Sequence, residues 1–242
     1  MTSKPDLADV RKRIDAVDRA VLDLIAQRLA LSADVRRAKS GAKLWRPARE
    51  DEHVAELIEA ARDSGTPASL VSRIWAELMS ASISVQGSTT LHVALEGDAR
   101  ANLSLIRDRF GGSLPVQSYP TSSAALSGCG SDPEGIAVLP APGGMQSWWT
   151  ALAEGGALSQ LKIVAALPRV HARDWPQAVA VAEMALDPQP GGRLLVAGTN
   201  VPGGLVRAEA GALRLVECAL ETPEETEVAG GSVIGYLPPL ID

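Results

Sequence analysis

Residues 6–39 read DLADVRKRIDAVDRAVLDLIAQRLALSADVRRAK, and this stretch decides how the first part of the chain folds. Apolar residues recur at alternating spacings of three and four, which predicts one long helix with a single buried seam. The seam consists of Leu7, Val10, Ile14, Val17, Val21, Leu24, Leu31, Val35 and Ala38. Asp6 is placed to cap the start of this helix, and Gly41 follows its end.

Two cations share this apolar face. Arg28 takes the seam position between Leu24 and Leu31, and Lys39 points only about 20° away around the helix axis. A buried charge is costly unless an anionic group meets it, so one interpretation of the pair is a site for an anion. The alternatives are that the side chains reach out to solvent, or that they pair with an acidic residue on a neighbouring helix.

The length of the helix is a second unusual feature. Thirty-odd helical residues extend for about 50 Å, against about 30 Å for the diameter of a small domain. The helical sequence that follows is too short to cover such a rod. We therefore expect a homodimer in which the long helices exchange partners and a second copy covers the protruding end.

The composition is that of a globular protein. The chain has 242 residues, enough for two domains, and 46% of them are hydrophobic. No apolar run has the length of a membrane span or the position of a signal peptide, and neither half has the basic surplus of a nucleic-acid-binding protein. Cys129 and Cys218 suit reduced thiols and form no metal motif. We expect a cytoplasmic protein without membrane or nucleic-acid partners.

Two shorter helices are predicted next. Residues 46–65 read RPAREDEHVAELIEAARDSG, with Pro47 at the helix start and one apolar face. Residues 69–87 read SLVSRIWAELMSASISVQG, and Thr66 is the expected cap before them. The expected seam of this third helix is Val71, Ile74, Leu78, Ser82 and Val85, with Gln86 one turn beyond Ser82.

The pattern changes after residue 89. Short apolar runs bounded by Gly, Pro or polar residues predict buried strands. These runs are LHVAL (91–95), GIAVLP (135–140), LKIVAAL (161–167), GRLLVAG (192–198) and SVIGYLP (232–238). Segments 100–111 and 145–156 are predicted helices between some of them. Alternating strands and helices favour an α/β domain with a mainly parallel sheet, and the domain boundary is expected near Gly87–Thr90.

Seven polar residues of the helical part form a set with consistent spacing: Arg11, Arg28, Lys39, Arg49, Glu50, Ser82 and Gln86. With the segments LADVRKRIDAVDRAVLDLIAQR, RPARE and RIWAELMSASISVQ, this set resembles the all-helical, type II chorismate mutase family. The resemblance covers residues 6–86 almost completely and implies a three-helix domain over residues 1–88 that forms a helix-swapped dimer. It implies an isomerase of aromatic amino-acid biosynthesis that rearranges chorismate to prephenate by a Claisen shift, without a cofactor.

The resemblance also implies how the substrate carboxylates are held. Arg28 is expected to bind one carboxylate, with Ser82 assisting as a hydrogen-bond donor. Arg11 lies about 25 Å from Arg28 along the same helix. It is therefore expected to reach the substrate from the partner subunit.

The remaining residues are implied to act on the reacting atoms. Lys39 and Gln86 are expected to meet the ether oxygen, where negative charge builds as the C–O bond breaks. Glu50 is expected to accept a hydrogen bond from the ring hydroxyl. Arg49 is expected to orient Glu50 and to add to the positive field. Arg46 stands where several family members have an acidic residue. A related branch of the family is a pyruvate lyase acting on isochorismate, and Glu50 favours the mutase over it.

Residues 91–198 resemble the catalytic domain of prephenate dehydratase more faintly, through HVAL, FGGSLPVQSYPTSSAAL, GIAVLP and GGRLLVAG. The chemistry of that family is not retained. Its Thr-Arg-Phe motif survives only as Gly192-Arg193-Leu194, so the hydroxyl thought to assist loss of water is missing. We expect residues 89–242 to form a two-lobed domain of the periplasmic-binding-protein-like kind, without dehydratase activity and without a full phenylalanine-sensing domain.

The resulting prediction is an α plus α/β multidomain chorismate mutase that binds chorismate and prephenate and needs no cofactor or metal. Two alternatives stay open. One is a bifunctional chorismate mutase–prephenate dehydratase, and the other is a non-catalytic dimer that binds a metabolite and regulates a partner. The pair Lys39 and Gln86 favours the mutase, because simple carboxylate binding needs no donors at an ether oxygen.

Overall fold

The computed structural model describes residues 6–38, 43–144, 146–170, 174–219 and 230–241. The chain divides into two compact units, residues 1–42 and residues 43–242. The predicted boundary near Gly87–Thr90 falls inside the second unit, between its helices and its sheet. The division into functional domains at residue 88 stays a prediction.

The first unit contains helix α1, Leu7–Ala38. Its start is as predicted, since the Asp6 carboxylate accepts a hydrogen bond from the Ala8 amide at 3.2 Å. Lys39 and Gly41 lie outside the described residues. The prediction of a buried seam is wrong for a single chain, because most seam side chains of α1 are exposed. A helix buries an apolar stripe only against another element. The exposed seam residues are Leu7, Ile14, Val17, Val21, Leu24 and Leu31.

The second unit begins with α2 (Pro47–Ala61) and α3 (Ala68–Gln86), which confirm the two shorter helices. Thr66 is not the cap, however. Pro67 takes that position, with no side-chain cap bond, because the helix begins one residue later than the Thr-Pro pair suggests. Gly87 ends α3 as predicted.

The predicted seam of α3 is only partly right. Val71 and Ser82 are buried, but Ile74 and Val85 are exposed. The helix packs instead through Ala76 and Ser80 against the segment that ends the next helix, where the Ser113 amide donates to Ser80 Oγ at 3.1 Å. A Cβ on Gly111 would lie 2.8 Å from Ala76 O, so only glycine allows this close approach.

The remaining elements form a mixed α/β part, and the five predicted strands are all present. In chain order the elements are β1 (Leu91–Val93), α4 (Ala99–Phe110), β2 (Val116–Ser118), α5 (Ser122–Gly130), β3 (Ile136–Pro140), a 3-10 helix (Trp148–Leu152), β4 (Leu161–Leu167), β5 (Ala178–Glu183), β6 (Arg193–Gly198), β7 (Leu205–Ala210), β8 (Leu213–Ala219) and β9 (Gly231–Leu237). The segment 145–156, predicted as a helix, forms only the short 3-10 helix.

The described strands form one sheet in the order β2-β1-β3-β5-β4-β9-β6-β8-β7. The prediction of a mainly parallel sheet is wrong. Only the pairs β1–β2, β1–β3 and β4–β9 are parallel, and the other five neighbouring pairs are antiparallel. The apolar runs do not predict the other four described strands, β2, β5, β7 and β8. Strands β7 and β8 are joined by only two residues, and a short connection reverses the chain because a parallel pair needs a longer crossover.

Each face of the sheet carries its own apolar core. On one face, Trp45, Ile83 and Phe110 pack with strand residues, so the helices α3 and α4 lie on this side. On the other face, Leu126 of α5 and Trp149 of the 3-10 helix are fully buried. The strands therefore alternate their side chains between two cores. A third cluster joins α2 to α3 through Val54, Ile58, Val71 and Met79.

Candidate functional site

The predicted site residues of the first unit are all on or next to α1. Arg11 is exposed and Arg28 is half-buried. The Arg28 carbonyl accepts a bond from Ser32 Oγ at 3.0 Å. Lys39 lies outside the described residues. The other predicted residues, those of α2 and α3, belong to the second unit.

Ser82 and Gln86 lie one turn apart at the carboxyl end of α3. Ser82 is 7% exposed, and its hydroxyl donates to the Leu78 carbonyl at 2.7 Å. Gln86 is half-buried and is the last residue of the helix. Their spacing of four residues places the two side chains on the same side of α3, as predicted.

Arg49 and Glu50 lie in the first turn of α2 but face different surroundings. Arg49 is exposed and pairs with Glu52, the residue one turn further along. This hydrogen bond, with the charge of Glu52, raises the pKa of the Arg49 guanidinium. Glu50 turns towards the interior of the second unit, where its side chain is 14% exposed.

The Glu50 carboxylate is held by groups from outside its own helix. Its Oε2 atom accepts hydrogen bonds from Trp45 Nε1 at 3.2 Å and from Arg169 Nη2 at 3.2 Å. Arg109 Nη1 lies 3.9 Å from the same oxygen. Arg109 belongs to α4, and Arg169 follows β4 by two residues. The α/β part of the chain therefore supplies both cations that face Glu50.

Asp51 completes a buried cluster of four charges with Glu50, Arg109 and Arg169, which we call the arginine–carboxylate cluster. Arg109 donates to both Asp51 oxygens, at 2.6 and 3.4 Å, and Arg169 Nε donates to Asp51 Oδ1 at 2.9 Å. Asp51, Arg109 and Arg169 are 5%, 1% and 5% exposed. Two cations balance two carboxylates, which is how buried charges are tolerated.

Two opposing effects act on the Glu50 carboxyl group. Burial raises its pKa, because a charged carboxylate is poorly solvated in the interior. The guanidinium groups of Arg109 and Arg169 lower it, and the neighbouring Asp51 charge raises it. Burial dominates, so the pKa of Glu50 lies above its usual value, and the two arginines limit the shift.

Sequence reasoning missed Asp51, Arg109 and Arg169. A signal for Asp51 was present, because it lies at helical spacing among the buried residues Pro47, Val54 and Ile58 of α2. Arg109 similarly lies on the buried face of α4. Charged residues at core positions of amphipathic helices indicate paired or functional groups. Arg169 follows a strand and carries no comparable signal.

A cavity of about 340 Å³ lies at the amino end of α2. Three cations line it, Lys43, Arg46 and Arg49, together with the apolar side chains of Trp45 and Met184. Pockets of this volume accept small organic molecules. The cavity thus gives Arg46, the departure from the family pattern, a position on a positively charged wall beside Arg49.

Gly192 occupies the place where the dehydratase motif has threonine. A Cβ at residue 192 would lie 2.2 Å from the ring and hydroxyl of Tyr236. Tyr236 is buried, and its hydroxyl accepts from the Gln189 amide at 3.0 Å and lies 3.2 Å from the Gln189 carbonyl. The position therefore has no room for a threonine side chain. The neighbouring Arg193 is paired with Glu217 at 3.4 Å.

His92 is buried, with Nδ1 at 2.9 Å from the Tyr119 hydroxyl and Nε2 at 3.2 Å from Asp132 Oδ2. Both ring nitrogens are thus engaged, which agrees with a core histidine. Within the described ranges, no group of three or more His, Cys, Asp or Glu residues is arranged to hold a metal ion. In the same ranges, no helix combines the length and apolar character required to cross a membrane.

Residues 10–87 match the family model of chorismate mutase type II. The matched range contains α2, α3 and nearly all of α1, and it includes all seven predicted site residues. The chain is also 37% identical to the T-protein of Enterobacter agglomerans over 76 residues, which is 31% of this chain and 20% of that protein. The match thus spans about a fifth of the length of this curated relative. No solved structure matches the chain significantly. The resemblance that the helical sequence predicts is confirmed.

Proposed function

We propose, from the match of residues 10–87 to chorismate mutase type II, that this protein rearranges chorismate to prephenate. One observation carries the proposal: the matched range includes every residue of the set that the sequence singles out, from Arg11 to Gln86. The reaction is unimolecular, so the protein needs to fold the substrate into a compact shape and stabilise the charge that develops.

The substrate is a dicarboxylate, and arginine is the side chain best suited to grip carboxylates. We propose that Arg28 binds one carboxylate, with the Ser82 hydroxyl nearby. Bidentate pairing fixes the orientation of a carboxylate as well as its position. A second arginine, Arg11 of the partner subunit, is proposed to bind the other end of the molecule.

The developing negative charge lies on the ether oxygen. We propose that Lys39 and Gln86 donate to this oxygen and that Glu50 accepts a bond from the ring hydroxyl. Donors that are already in place stabilise the transition state more than the ground state, because the oxygen becomes negative only as the bond breaks. Arg49 adds to the positive field from the exposed side of α2.

The direct test is to incubate the purified protein with chorismate and follow both the loss of chorismate absorbance and the identity of the product. We expect prephenate to form without added metal or cofactor. Isochorismate, assayed in parallel, is expected to turn over more slowly. Faster turnover of isochorismate with release of pyruvate would assign the protein to lyase chemistry instead.

The exposed seam of α1 supports a dimer. Six large apolar side chains of this seam are at least 47% exposed in the single chain, including Leu24 and Leu31. Contiguous exposed apolar surface of this kind is typical of protein–protein interfaces. We propose that the α1 helices of two copies cover each other, and that each site takes Arg11 from the partner.

Mixed dimers test this arrangement. Arg11→Ala and Lys39→Ala variants are each expected to be nearly inactive, whereas their co-expressed mixture is expected to recover about a quarter of wild-type activity. Half of the dimers then combine both variants, and one of the two sites in each such dimer has both Lys39 and the partner's arginine intact. Sedimentation of the wild type as an active monomer, or absence of recovery in the mixture, would refute the shared site.

We propose that residues 89–242 form a two-lobed domain without dehydratase activity. Gly192 has no room for the threonine of the dehydratase motif, which supports the absence of dehydratase activity. The chorismate assay therefore includes a second product measurement, and we expect prephenate to accumulate without phenylpyruvate.

A further inference from the structure

The arginine–carboxylate cluster joins α2, which carries a proposed catalytic residue, to the α/β part of the chain. Every described contact of the Glu50 carboxylate with a cation comes from Arg109 or Arg169. Neither arginine lies within the range matched by the family model, which ends at residue 87. The surroundings of Glu50 are therefore supplied by a part of the chain to which the family match gives no role.

We propose that Arg169 and Arg109 are positioning residues for Glu50, so that the α/β part of this chain directly supports the mutase reaction. The inference rests on the proposed function. Without dehydratase chemistry, the α/β part would still have a role. It would hold the Glu50 carboxylate of α2 in position and favour its charged form.

The geometry supports the positioning. The described contacts of Glu50 all reach Oε2, where Trp45 and Arg169 donate from two directions. A carboxylate has a second oxygen with its own lone pairs. With Oε2 fixed, Oε1 is the atom that remains to accept a bond from a substrate hydroxyl. A carboxylate fixed in this way loses little side-chain entropy when the substrate binds.

The connection of Arg169 to Asp51 adds rigidity. The Arg169 guanidinium donates through Nε to Asp51 and through Nη2 to Glu50, so it bridges two adjacent carboxylates of the same helix turn. Arg109, which belongs to helix α4, also pairs with Asp51. A planar guanidinium with several donors can make such a bridge, whereas the single ammonium of lysine has no fixed fork.

The two arginines that face Glu50 also favour its ionised form. From α2 it faces Asp51, from α4 Arg109, and from the segment after β4 Arg169, while the Trp45 indole contributes a neutral donor. Removal of Arg169 leaves Glu50 beside the like charge of Asp51 with less compensation. Its pKa then rises further above its usual value, because burial and Asp51 already raise it.

The pH dependence of kcat/KM for chorismate tests the proposal. Ionised Glu50 is the active form, so activity falls as the pH drops through its pKa. We call this fall of kcat/KM at low pH the acid limb. In Arg169→Met we expect the midpoint of the acid limb to move upwards by at least about one pH unit. At one pH unit below the wild-type midpoint, kcat/KM of this variant is then expected to be about tenfold lower than that of the wild type. At a pH well above the limb, activity is expected within about threefold of the wild type, since one pKa unit changes only the ionised fraction.

Three further variants separate positioning from general damage. Arg169→Lys keeps the positive charge and is expected to hold the limb close to the wild-type midpoint. Arg193→Met removes another paired arginine of the α/β part, whose described partners Asp174 and Glu217 are not members of the cluster, and is expected to leave the limb unchanged. Glu50→Gln cannot ionise and is expected to lack the limb. If Arg169→Met does not fold, Arg169→Gln gives the same comparison, because it also removes the positive charge that faces Glu50 Oε2 while keeping a polar side chain.

The outcomes distinguish this inference from the proposed function. If the wild-type protein does not turn over chorismate, both the proposed function and the positioning role are refuted. Turnover by the wild type combined with an unmoved limb in Arg169→Met, a uniform loss at every pH, or a limb that persists in Glu50→Gln overturns only the positioning role.

Discussion

Replacing Lys39 by alanine is expected to lower kcat for chorismate by about 10²–10³-fold, the usual effect of removing one donor from a developing oxyanion. The ether oxygen is neutral in the substrate and negative in the transition state, so the contribution proposed for Lys39 would arise mainly during the reaction. For the same reason KM is expected to change far less than kcat. Steady-state measurements of chorismate loss determine both constants.

Lys12→Ala is the matched control for this substitution. Lys12 is an exposed lysine of α1 outside the seven-residue set, and its removal is expected to leave kcat within about twofold. Lys39→Arg, which keeps the charge but changes the shape of the donor, is expected to fall between the wild type and Lys39→Ala. An unchanged kcat in Lys39→Ala, or a rise in KM alone, would contradict the proposal that Lys39 acts on the reacting atoms.

The second large effect concerns stability. Asp51→Ala is expected to lower the free energy of unfolding by about 3–5 kcal/mol, because it leaves two arginines in the interior without their shared partner. The pair formed with Arg109 at 2.6 Å is buried on both sides, so water cannot replace the lost carboxylate. Urea unfolding at a fixed protein concentration, followed by circular dichroism, measures the change.

Glu52→Ala provides the comparison, since Glu52 is the next residue of the same helix and its side chain is 49% exposed. Its pair with Arg49 lies at the surface, where water screens the charges, and its loss is expected to cost about 0–1 kcal/mol. Equal effects of the two substitutions would show that the arginine–carboxylate cluster is not a buried network in solution.

Helices α1 to α4 could be predicted because their information is local, whereas α5 was not predicted. The three- and four-residue spacings gave α1 from its first residue, Pro47 marked the start of α2, and Gly87 marked the end of α3. The same local patterns located five of the nine described strands, namely β1, β3, β4, β6 and β9. The prediction of a mainly parallel sheet failed, because the direction in which two strands pair depends on the connections between them. It also depends on strands with weak sequence patterns, such as β7 and β8.

The candidate site could also be predicted only in part. Arg28, Lys39, Glu50 and Gln86 could be singled out as residues, because charged and polar groups at these positions interrupt helical patterns and together resemble a known family. The faces that bury α3 were assigned incorrectly, as the exposed Ile74 shows. When a helix has apolar residues on several sides, the neighbouring element determines which side becomes buried. The sequence of the helix alone does not identify that neighbour.

The sequence by itself therefore determined helices α1, α2 and α3, the residues proposed to bind a dicarboxylate, and the family to which residues 10–87 are matched. Only the tertiary structure decided what surrounds Glu50. Arg109 is 58 residues from Asp51 and Arg169 is 118 residues from it. Helical periodicity acts within a few residues and can be read directly, whereas contacts over such separations exist only once the sheet and helices have packed together.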